Sequence, residues 1–421
     1  MSNCVFSKGE ILLPKVGTDF TKWSVVACDQ YTSEPEYWEN VSKFVGSSPS
    51  TLHLTLPEIY LNGNDTPARI KKINATMDSY LTSGFFSAPK KKHLYIERTQ
   101  RNGKTRKGII GVVDLEEYDY SKGSQSKIRA TEGTVLERIP PRVKVREHAP
   151  LELPHIMLLI DDIKKTVIEP LAQKKDSFEK AYDFRLMENS GSIIGYWVDD
   201  EESERIDRAI SELGSYKEFA EKYGESEKGV LLFAVGDGNH SLATAKECWE
   251  RLKKTLPSSE LNSHPARFAL TEIVNLHDDA LEFEAIHRVV FGVDFADLKN
   301  ELSHHYELSD SAEQVFTLIC GNSEERIGIL NPSSNLTVGS VQNFIDSYLE
   351  NYGGSVDYIH GEDVVRQLSA DGKNVGFLLP SIEKSTLFPT VIRDGALPRK
   401  AFSMGHAWDK RFYLESRKIS K

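Results

Sequence analysis

A glycine-rich turn with an unusual density of polar side chains lies between a predicted strand and a predicted helix. The apolar, β-prone run 230–235 predicts the strand, and the pattern over 242–254 predicts the helix. The connection between them reads Gly-Asp-Gly-Asn-His-Ser. Such a turn brings free backbone N–H groups and the positive end of the helix dipole to one place, which is an anion site. We therefore interpret the segment as the floor of a phosphate-handling active site.

A purely structural interpretation of the turn stays open. Asn239 or Ser241 could cap the helix, and His240 could be an ordinary surface residue. The turn is not a Walker loop, because Gly-x-x-x-x-Gly-Lys-Ser/Thr does not occur in the sequence. It is not a dinucleotide fingerprint either, because the third glycine is missing.

A second polar segment, residues 129–148, groups basic side chains around one glutamate. These cations could neutralise a polyanion through charge-assisted hydrogen bonds, and Glu132 is a candidate general base. An exposed helix start with i,i+4 charge pairs is the alternative for any single residue. We favour a site for the cluster as a whole, because acidic residues outnumber basic ones elsewhere. The basic members are Arg129, Arg138, Arg142, Lys144 and Arg146.

The C-terminal stretch 397–415 is the third cluster. Its polar side chains would suit phosphate oxygens, while its aromatic residues indicate an ordered segment in which they stack or pack. Together the three clusters fit phosphoryl transfer better than acyl transfer. Phosphoryl transfer needs cations on the moving group, a divalent metal and a carboxylate that accepts a proton. The phosphate-binding candidates here are Lys400, Ser403, His406, Lys410 and Arg411.

Length and composition set the broad class of the protein. A chain of 421 residues predicts two or more closely packed subdomains. A formal net charge of −11 disfavours nucleic acid as a partner. The four cysteines are too far apart for a Cys-x-x-Cys zinc site, and we see no signal segment or apolar run of membrane-spanning length. We therefore expect a cytoplasmic protein with reduced thiols that makes no membrane contact.

Hydrophobic periodicity predicts strands mixed with helices, including a hairpin whose Asn-Gly turn joins the runs 93–98 and 107–114. This mixture predicts a mixed α/β (α+β) fold. We divide the chain into two α/β subdomains, residues 1–200 and 201–421, with the active site between them. Further predicted strands or apolar segments are 23–28, 155–160, 192–199, 266–275, 286–290 and 375–379; further predicted helices are 66–83, 163–184 and 201–223; and 293–371 is a predicted α/β insertion.

The order of these motifs resembles that of a large bacterial and protist family long labelled as a domain of unknown function, which includes the pyrophosphate-dependent L-serine kinases. Its members carry Asp-Gly-His-His-Arg before a helix, and this chain has Asn239 for the first histidine and Ser241 for the arginine. They also carry His-Glu-x-Thr followed by an arginine, then His-Arg-Val-Val, then a Leu-Pro-x-Lys element. The matching segments are 237–241, 131–134 with Arg142, 287–290 and 397–401.

The resemblance implies a ParB/sulfiredoxin-like kinase core with additional α/β subdomains, and a Mg²⁺-dependent kinase that forms O-phospho-L-serine from free L-serine. It implies that Glu132 accepts the proton of the serine hydroxyl and that Asp237 helps hold the metal, directly or through water. It also implies that His240 hydrogen-bonds the transferring phosphate. The implied substrate- and phosphate-binding residues are Arg129, Thr131, Thr134, Arg142, Gly236, Gly238, Asn239, Ser241, His287, Arg288, Lys400, Ser403, Lys410 and Arg411.

Three alternatives stay open. We favour pyrophosphate as the donor, because we see no adenine-binding pattern and a small donor suits a site of short loops and many cations. ADP or ATP is the second alternative, since Asn239 and Ser241 change positions that bear on donor choice. A non-catalytic ParB-like binding module is the third. Asp29, Gln30 and Thr131 are candidates for contacts to the carboxylate and amine of an amino-acid substrate.

Overall fold

The computed structural model of the protein describes residues 4–133, 136–225 and 227–421. Contacts divide the chain into two compact units, Met1–Leu281 with His406–Lys421 and Glu282–Gly405. This division differs from the one predicted at residue 200, because strands on both sides of that residue pair within one sheet. Thr134, a predicted binding residue, lies outside the described residues.

The strands of the described residues are numbered in chain order. They are Phe6–Ser7 (β1), Gly9–Ile11 (β2), Val25–Val26 (β3), Lys90–Lys92 (β4), Leu94–Thr99 (β5), Thr105–Asp114 (β6), Tyr118–Asp119 (β7), Ile128–Ala130 (β8), Leu151–Glu152 (β9), Met157–Ile160 (β10), Glu179–Arg185 (β11), Ser192–Trp197 (β12), Phe233–Asp237 (β13), Phe268–Asn275 (β14), Phe283–Phe291 (β15), Gln314–Cys320 (β16), Ser323–Ile329 (β17), Ser355–His360 (β18), Asn374–Leu378 (β19), Phe402–Met404 (β20), Phe412–Tyr413 (β21) and Arg417–Lys418 (β22). Strands β15 to β20 belong to the second unit and the others to the first.

The α-helices are numbered in the same way. They are Phe20–Trp23 (α1), Pro35–Val45 (α2), Thr66–Thr82 (α3), Ile139–Arg146 (α4), Glu169–Lys174 (α5), Asp200–Leu213 (α6), Tyr216–Tyr223 (α7), Asn239–Lys253 (α8), Phe295–His305 (α9), Thr337–Tyr352 (α10), Glu362–Ser369 (α11) and Lys384–Asp394 (α12). Helices α9 to α12 belong to the second unit. Within the described residues, none of these helices combines the length and hydropathy needed to cross a lipid bilayer.

A ten-stranded sheet organises the first unit. Its strands follow the order β11-β12-β5-β6-β14-β10-β13-β8-β7, and β1 also pairs with β6. The antiparallel pair β5 and β6 confirms the predicted hairpin, with Thr99 opposite Thr105 next to the turn. Parallel pairs occur as well, between β10 and β14 and between β13 and β8. Helices combined with a sheet of both pairings confirm the predicted mixed α/β fold.

Hydrophobic clusters cover both faces of this sheet. Along β6, Ile110 and Val112 pack into one cluster, while Ile109 and Val113 pack into another. Alternate residues of a strand point to opposite faces, so the two clusters are the two layers of core. Trp249 of α8 belongs to the second cluster and is fully buried. The start of α8 is therefore anchored on a rigid sheet.

The second unit has a sheet of its own. Its strands follow the order β17-β16-β19-β15-β18, and β20 pairs with β15. The pairs of this sheet are antiparallel. The predicted α/β insertion 293–371 lies inside this unit, and the predicted segments 286–290 and 375–379 supply its strands β15 and β19.

Three predicted elements are wrong in whole or in part. The helix predicted over 201–223 is divided into α6 and α7, and Ser215 between them caps α7. The helix predicted over 163–184 is replaced by the short α5 and the strand β11. The carboxylate of Asp162 accepts the N–H groups of Thr166 (2.6 Å) and Val167 (2.9 Å), which holds the start of the segment in a turn. The strand predicted over 23–28 is reduced to β3, because α1, capped by Asp19, extends to Trp23.

Candidate active site

The glycine turn lies where β13 passes directly into α8. Asp237 is the last residue of the strand and Gly238 occupies the N-cap position of the helix. Gly238 has a φ of 81°, and a Cβ there would lie 3.0 Å from the Cα of Ile156, so the position requires glycine. The helix is 15 residues long and begins at this point, so its first backbone N–H groups and the positive end of its dipole lie at the turn, an arrangement suited to an anion.

The end of the neighbouring strand meets the same turn. β8 runs parallel to β13 with Ala130 opposite Val235. The next residue, Thr131, donates its N–H to Oδ1 of Asn239 at 3.2 Å, and its hydroxyl donates to the carbonyl of Val235 at 2.6 Å. Asn239 therefore holds the neighbouring loop and does not act as the helix cap. The half-buried Glu132 follows Thr131 at this edge.

Lys410 brings a cation to the turn. Its Nζ lies 3.4 Å from Oδ2 of Asp237, and both side chains are largely buried. The other carboxylate oxygen of Asp237 accepts the N–H of Gly238 at 3.0 Å. A lysine ammonium is a compact charge on a flexible stem, so it can reach a phosphate oxygen near the same turn.

His155 connects the turn to two other parts of the first unit. Its Nε2 lies 3.1 Å from the hydroxyl of Ser241 and 3.6 Å from Oδ2 of Asp29. Its Nδ1 lies 2.9 Å from the hydroxyl of Tyr413, which also accepts the N–H of Cys28 at 3.2 Å. The imidazole is buried, so these contacts fix its orientation.

Charge and burial act in opposite directions on this histidine. Burial disfavours the imidazolium, but the charge and hydrogen bond of Asp29 and the charge of Asp237 outweigh it and raise the pKa of His155. Burial likewise opposes ionisation of Asp29, but His155 and the amide of Gln30 hold the pKa of Asp29 below its usual range. Burial raises the pKa of the Cys28 thiol to about 12, so Cys28 is a neutral neighbour. Both shifts favour the ion pair between His155 and Asp29, because the pKa of the histidine is raised and that of the aspartate is lowered.

A cavity of about 140 Å³ adjoins these residues. Arg142 and Glu58 form an ion pair in its lining, and Ser241 and His155 contribute to it from the side of α8. The guanidinium of Arg142 also donates to the carbonyl of Arg138 at 2.7 Å. The cavity belongs to the first unit, like the glycine turn.

Several predicted phosphate-binding residues make structural contacts. Arg129 is buried and donates to the carbonyls of Ser126 (2.8 Å) and Gly229 (2.5 Å). Arg411 is buried between two carboxylates, one of them Glu272 at 2.8 Å. Their predicted contacts to phosphate stay predictions.

Four further predicted residues belong to the second unit. Arg288 is buried and donates to Oε1 of Gln342 at 3.1 Å, and Nδ1 of His287 accepts the N–H of Leu379 at 3.1 Å. Lys400 has a φ of 53°, and Ser403 donates to the carbonyl of Gly405 at 2.9 Å. Their predicted contacts to substrate and phosphate stay predictions.

Sequence reasoning missed three members of this site. The sequence pattern predicts that His155 begins a strand and that Tyr413 belongs to an ordered aromatic segment. It indicates no function for Glu58. β10 pairs antiparallel with β13 and places Met157 opposite Asp237, which brings the preceding His155 to the turn. That strand order is not written in the local sequence, although the histidine directly before an apolar strand was a usable signal.

Residues 12–348 match the family model described as "Protein of unknown function (DUF1015)". The chain belongs to this family. The match contains the glycine turn, the Thr131 loop, His155 and the cavity residues from α3 and α4. A comparison with curated proteins gives no match.

Solved structures similar to the chain share little sequence with it. A free serine kinase variant in complex with ADP has 11% identity and a TM-score of 0.40, covering 75% of this chain and 93% of its own. A conserved hypothetical protein from Pyrococcus furiosus has 12% identity and a TM-score of 0.37, covering 73% and 94%. SbnI from Staphylococcus aureus, truncated at its C-terminus, has 12% identity and a TM-score of 0.36, covering 70% and 82%.

Proposed function

We propose that the protein is a phosphotransferase that moves a phosphoryl group from pyrophosphate to the hydroxyl of free L-serine, giving O-phospho-L-serine and phosphate. The observation that carries this proposal is the meeting of the glycine turn, Lys410 and the Thr131 loop at one edge of the sheet. A helix start with an adjacent ammonium group is suited to phosphate oxygens. We propose L-serine as the acceptor because the chain shares an ordered set of motifs with the serine kinases of the family that it resembles.

The donor binds at the start of α8. The N–H groups of residues 239–241 and the ammonium of Lys410 contact its phosphate oxygens, and His240 hydrogen-bonds the phosphoryl group that is transferred. His155 adds positive charge behind Ser241 when it is protonated. Pyrophosphate is compact and needs no base pocket, which fits a site built from one short turn and a lysine.

Mg²⁺ is the cofactor of the proposed reaction, and Asp237 is its ligand, directly or through water. A carboxylate at the edge of a phosphate site is the oxygen ligand that Mg²⁺ prefers. When bound, the metal neutralises charge on the donor phosphates. Lys410 then moves from Asp237 toward the donor, because the phosphate oxygens replace Asp237 as the negatively charged partner of its ammonium group.

Glu132 is the proposed general base. It follows β8 directly after Thr131 and therefore lies at the edge where the donor binds. Its carboxylate accepts the proton of the serine hydroxyl while the serine oxygen forms a bond to the terminal phosphorus. The bond from that phosphorus to the bridging oxygen breaks, and phosphate leaves with the electron pair.

The test is an assay for O-phosphoserine with purified protein, L-serine, Mg²⁺ and pyrophosphate, with ADP and ATP in parallel reactions. Of the three donors, we expect only pyrophosphate to give O-phosphoserine. Asp237→Asn should abolish turnover, while Asp310→Asn, a matched change at an exposed loop of the second unit, should leave it unchanged. Product only with a nucleotide would overturn the donor, and no product with any donor would overturn the proposal.

A non-catalytic binding module is the competing function. A DNA-binding role is disfavoured by the net charge of −11. A DNA titration at two salt concentrations tests it, because contacts to phosphates would weaken steeply with salt.

A further inference from the structure

The lining of the cavity beside the glycine turn combines polar and aliphatic side chains. His155, Ser241 and the Arg142–Glu58 pair belong to the polar part. Much of the remaining lining is aliphatic and comes from several elements of the first unit. These wall residues are Leu54, Leu56, Leu61, Met77, Val145 and Ile156.

The charged groups of the lining neutralise each other. Arg142 pairs with Glu58, and Nη2 of Arg146 lies 2.6 Å from Oε2 of Glu152. Glu152 is held further by Nε of Arg417 at 2.7 Å. These pairs leave little net charge to attract an ion, so the cavity is suited to an uncharged group.

The remaining hydroxyl on the α8 side is also engaged. Thr244 donates to the carbonyl of His240 at 2.7 Å, within its own helix. Thr55 donates to the carbonyl of Thr51 at 2.9 Å, and the hydroxyl of Tyr413 lies 2.9 Å from Nδ1 of His155. We therefore assign polar recognition in the cavity to His155 and Ser241. A pocket with many apolar side chains and a few polar groups is typical of a site for an amphipathic small molecule.

The volume of the cavity limits the size of the apolar group that it can hold. Its volume is about 140 Å³. An engineered apolar cavity of about 150 Å³ holds benzene. Free L-serine has a single methylene and would leave the aliphatic wall in contact with water, which is unfavourable.

We propose that this cavity binds an acceptor alcohol through an uncharged apolar substituent of up to about six carbons, with the acceptor hydroxyl at His155 and Ser241. The acceptor class thus extends beyond L-serine, which carries a charged amine and carboxylate, to small alcohols with an apolar substituent. The identity of the reacting group rests on the proposed function, whereas the apolar substituent rests on the cavity alone.

The test measures binding of primary alcohols to the full-length protein by ligand-detected NMR without any phosphoryl donor. The probes are ethanol, 1-butanol, 1-hexanol, 1-octanol and benzyl alcohol. We expect the Kd to fall by roughly fourfold per methylene up to about six carbons and then to level off. No binding, or no dependence on chain length, would overturn the inference.

Cavity-filling variants locate the site. Val145→Phe should weaken benzyl alcohol binding at least tenfold. Leu61→Phe, in another segment of the cavity lining, should weaken it to the same extent. Val16→Phe is the matched control, because Val16 is fully exposed and lies outside the cavity lining. Equal binding by the folded cavity variants and the control would overturn the inference.

A competition assay links the cavity to catalysis. Benzyl alcohol should inhibit formation of O-phosphoserine competitively with L-serine, with an inhibition constant equal to its Kd. Transfer to serine without alcohol binding would overturn this inference and keep the proposed function. Alcohol binding without transfer from any donor would keep the apolar cavity and remove the proposed function.

Discussion

Replacing either of two adjacent basic residues, Lys410 and Arg411, by methionine should affect different properties. Arg411→Met should mainly lower stability, and Lys410→Met should mainly weaken pyrophosphate binding. Arg411 is buried with its side chain 2% exposed, and it pairs with Glu272 and Glu415, whose side chains are fully buried. Its Nε also donates to the carbonyl of Pro154 at 3.1 Å. Lys410 instead has one ion pair at the glycine turn.

The magnitudes follow from these contacts. Arg411→Met leaves two buried carboxylates with fewer partners, and removing one member of a buried ion pair costs about 3–5 kcal/mol. Arg106 at 3.3 Å from Glu272 and Tyr182 at 2.5 Å from Glu415 remain, which places the loss toward the lower end of that range. Lys410→Met keeps the aliphatic stem, and Asp237 keeps the N–H of Gly238 at 3.0 Å, so the loss should be smaller than for Arg411→Met, at about 1–2 kcal/mol.

Urea unfolding measured by circular dichroism, together with calorimetric titration of pyrophosphate, separates the two variants. We expect Arg411→Met to lower the unfolding midpoint strongly. Lys410→Met should lower the midpoint less and weaken pyrophosphate binding at least tenfold. An Arg411→Met protein within about 1 kcal/mol of the parent would refute the assignment of Arg411 to the buried network. A Lys410→Met protein with unchanged pyrophosphate affinity would refute the role of Lys410.

Three further predictions concern the same site. Gly238→Ala should destabilise the protein by about 1–3 kcal/mol and weaken donor binding, because φ at this position is positive and the new Cβ would crowd Ile156. The control is Gly224→Ala, also at positive φ but with no atom within 4 Å of the new Cβ. Equal losses of stability in thermal melts would contradict the crowding argument. Asp29→Asn should cost most stability between pH 4 and 6.5. The raised pKa of His155 gives stability that is fully present below pH 6.5 and is lost as pH rises through that raised pKa. The lowered pKa of Asp29 gives stability that is fully present above pH 3.8 and is lost as pH falls through that lowered pKa. Urea midpoints across pH test this, and a loss that grows above pH 8 would count against the pair. Glu132→Gln should lower kcat at least a hundredfold with donor Kd within threefold of the parent, and near-normal turnover in the O-phosphoserine assay would remove Glu132 as the base.

Local signals in the sequence were sufficient for the elements that form the turn. The apolar run, the glycines and the helical pattern predicted β13, the turn and α8 in the right order, because backbone conformation here depends on neighbouring residues. The hairpin of β5 and β6 was predictable for the same reason. The helix predicted over 163–184 failed because the side chain of Asp162 binds the following N–H groups and competes with helix formation.

Residues assembled by strand order were not predictable in this way. His155 reaches Ser241 because β10 lies between β13 and β14, a neighbour relation among segments far apart in the chain. The same non-local packing buries Arg411 beside Glu272, a partner that the local sequence does not indicate. Composition identifies such an arginine as a cation but does not show whether its partner is a ligand or a buried carboxylate.

The central claim is phosphoryl transfer from pyrophosphate to a small alcohol at the turn of residues 236–241. The most direct measurement is a single-turnover reaction of the protein with ³²P-labelled pyrophosphate, Mg²⁺ and L-serine, followed by separation of the products. We predict label in both phosphate and O-phosphoserine in equal amounts, and loss of both in Asp237→Asn. Label that remains in pyrophosphate, or appears in phosphate alone, would contradict the account.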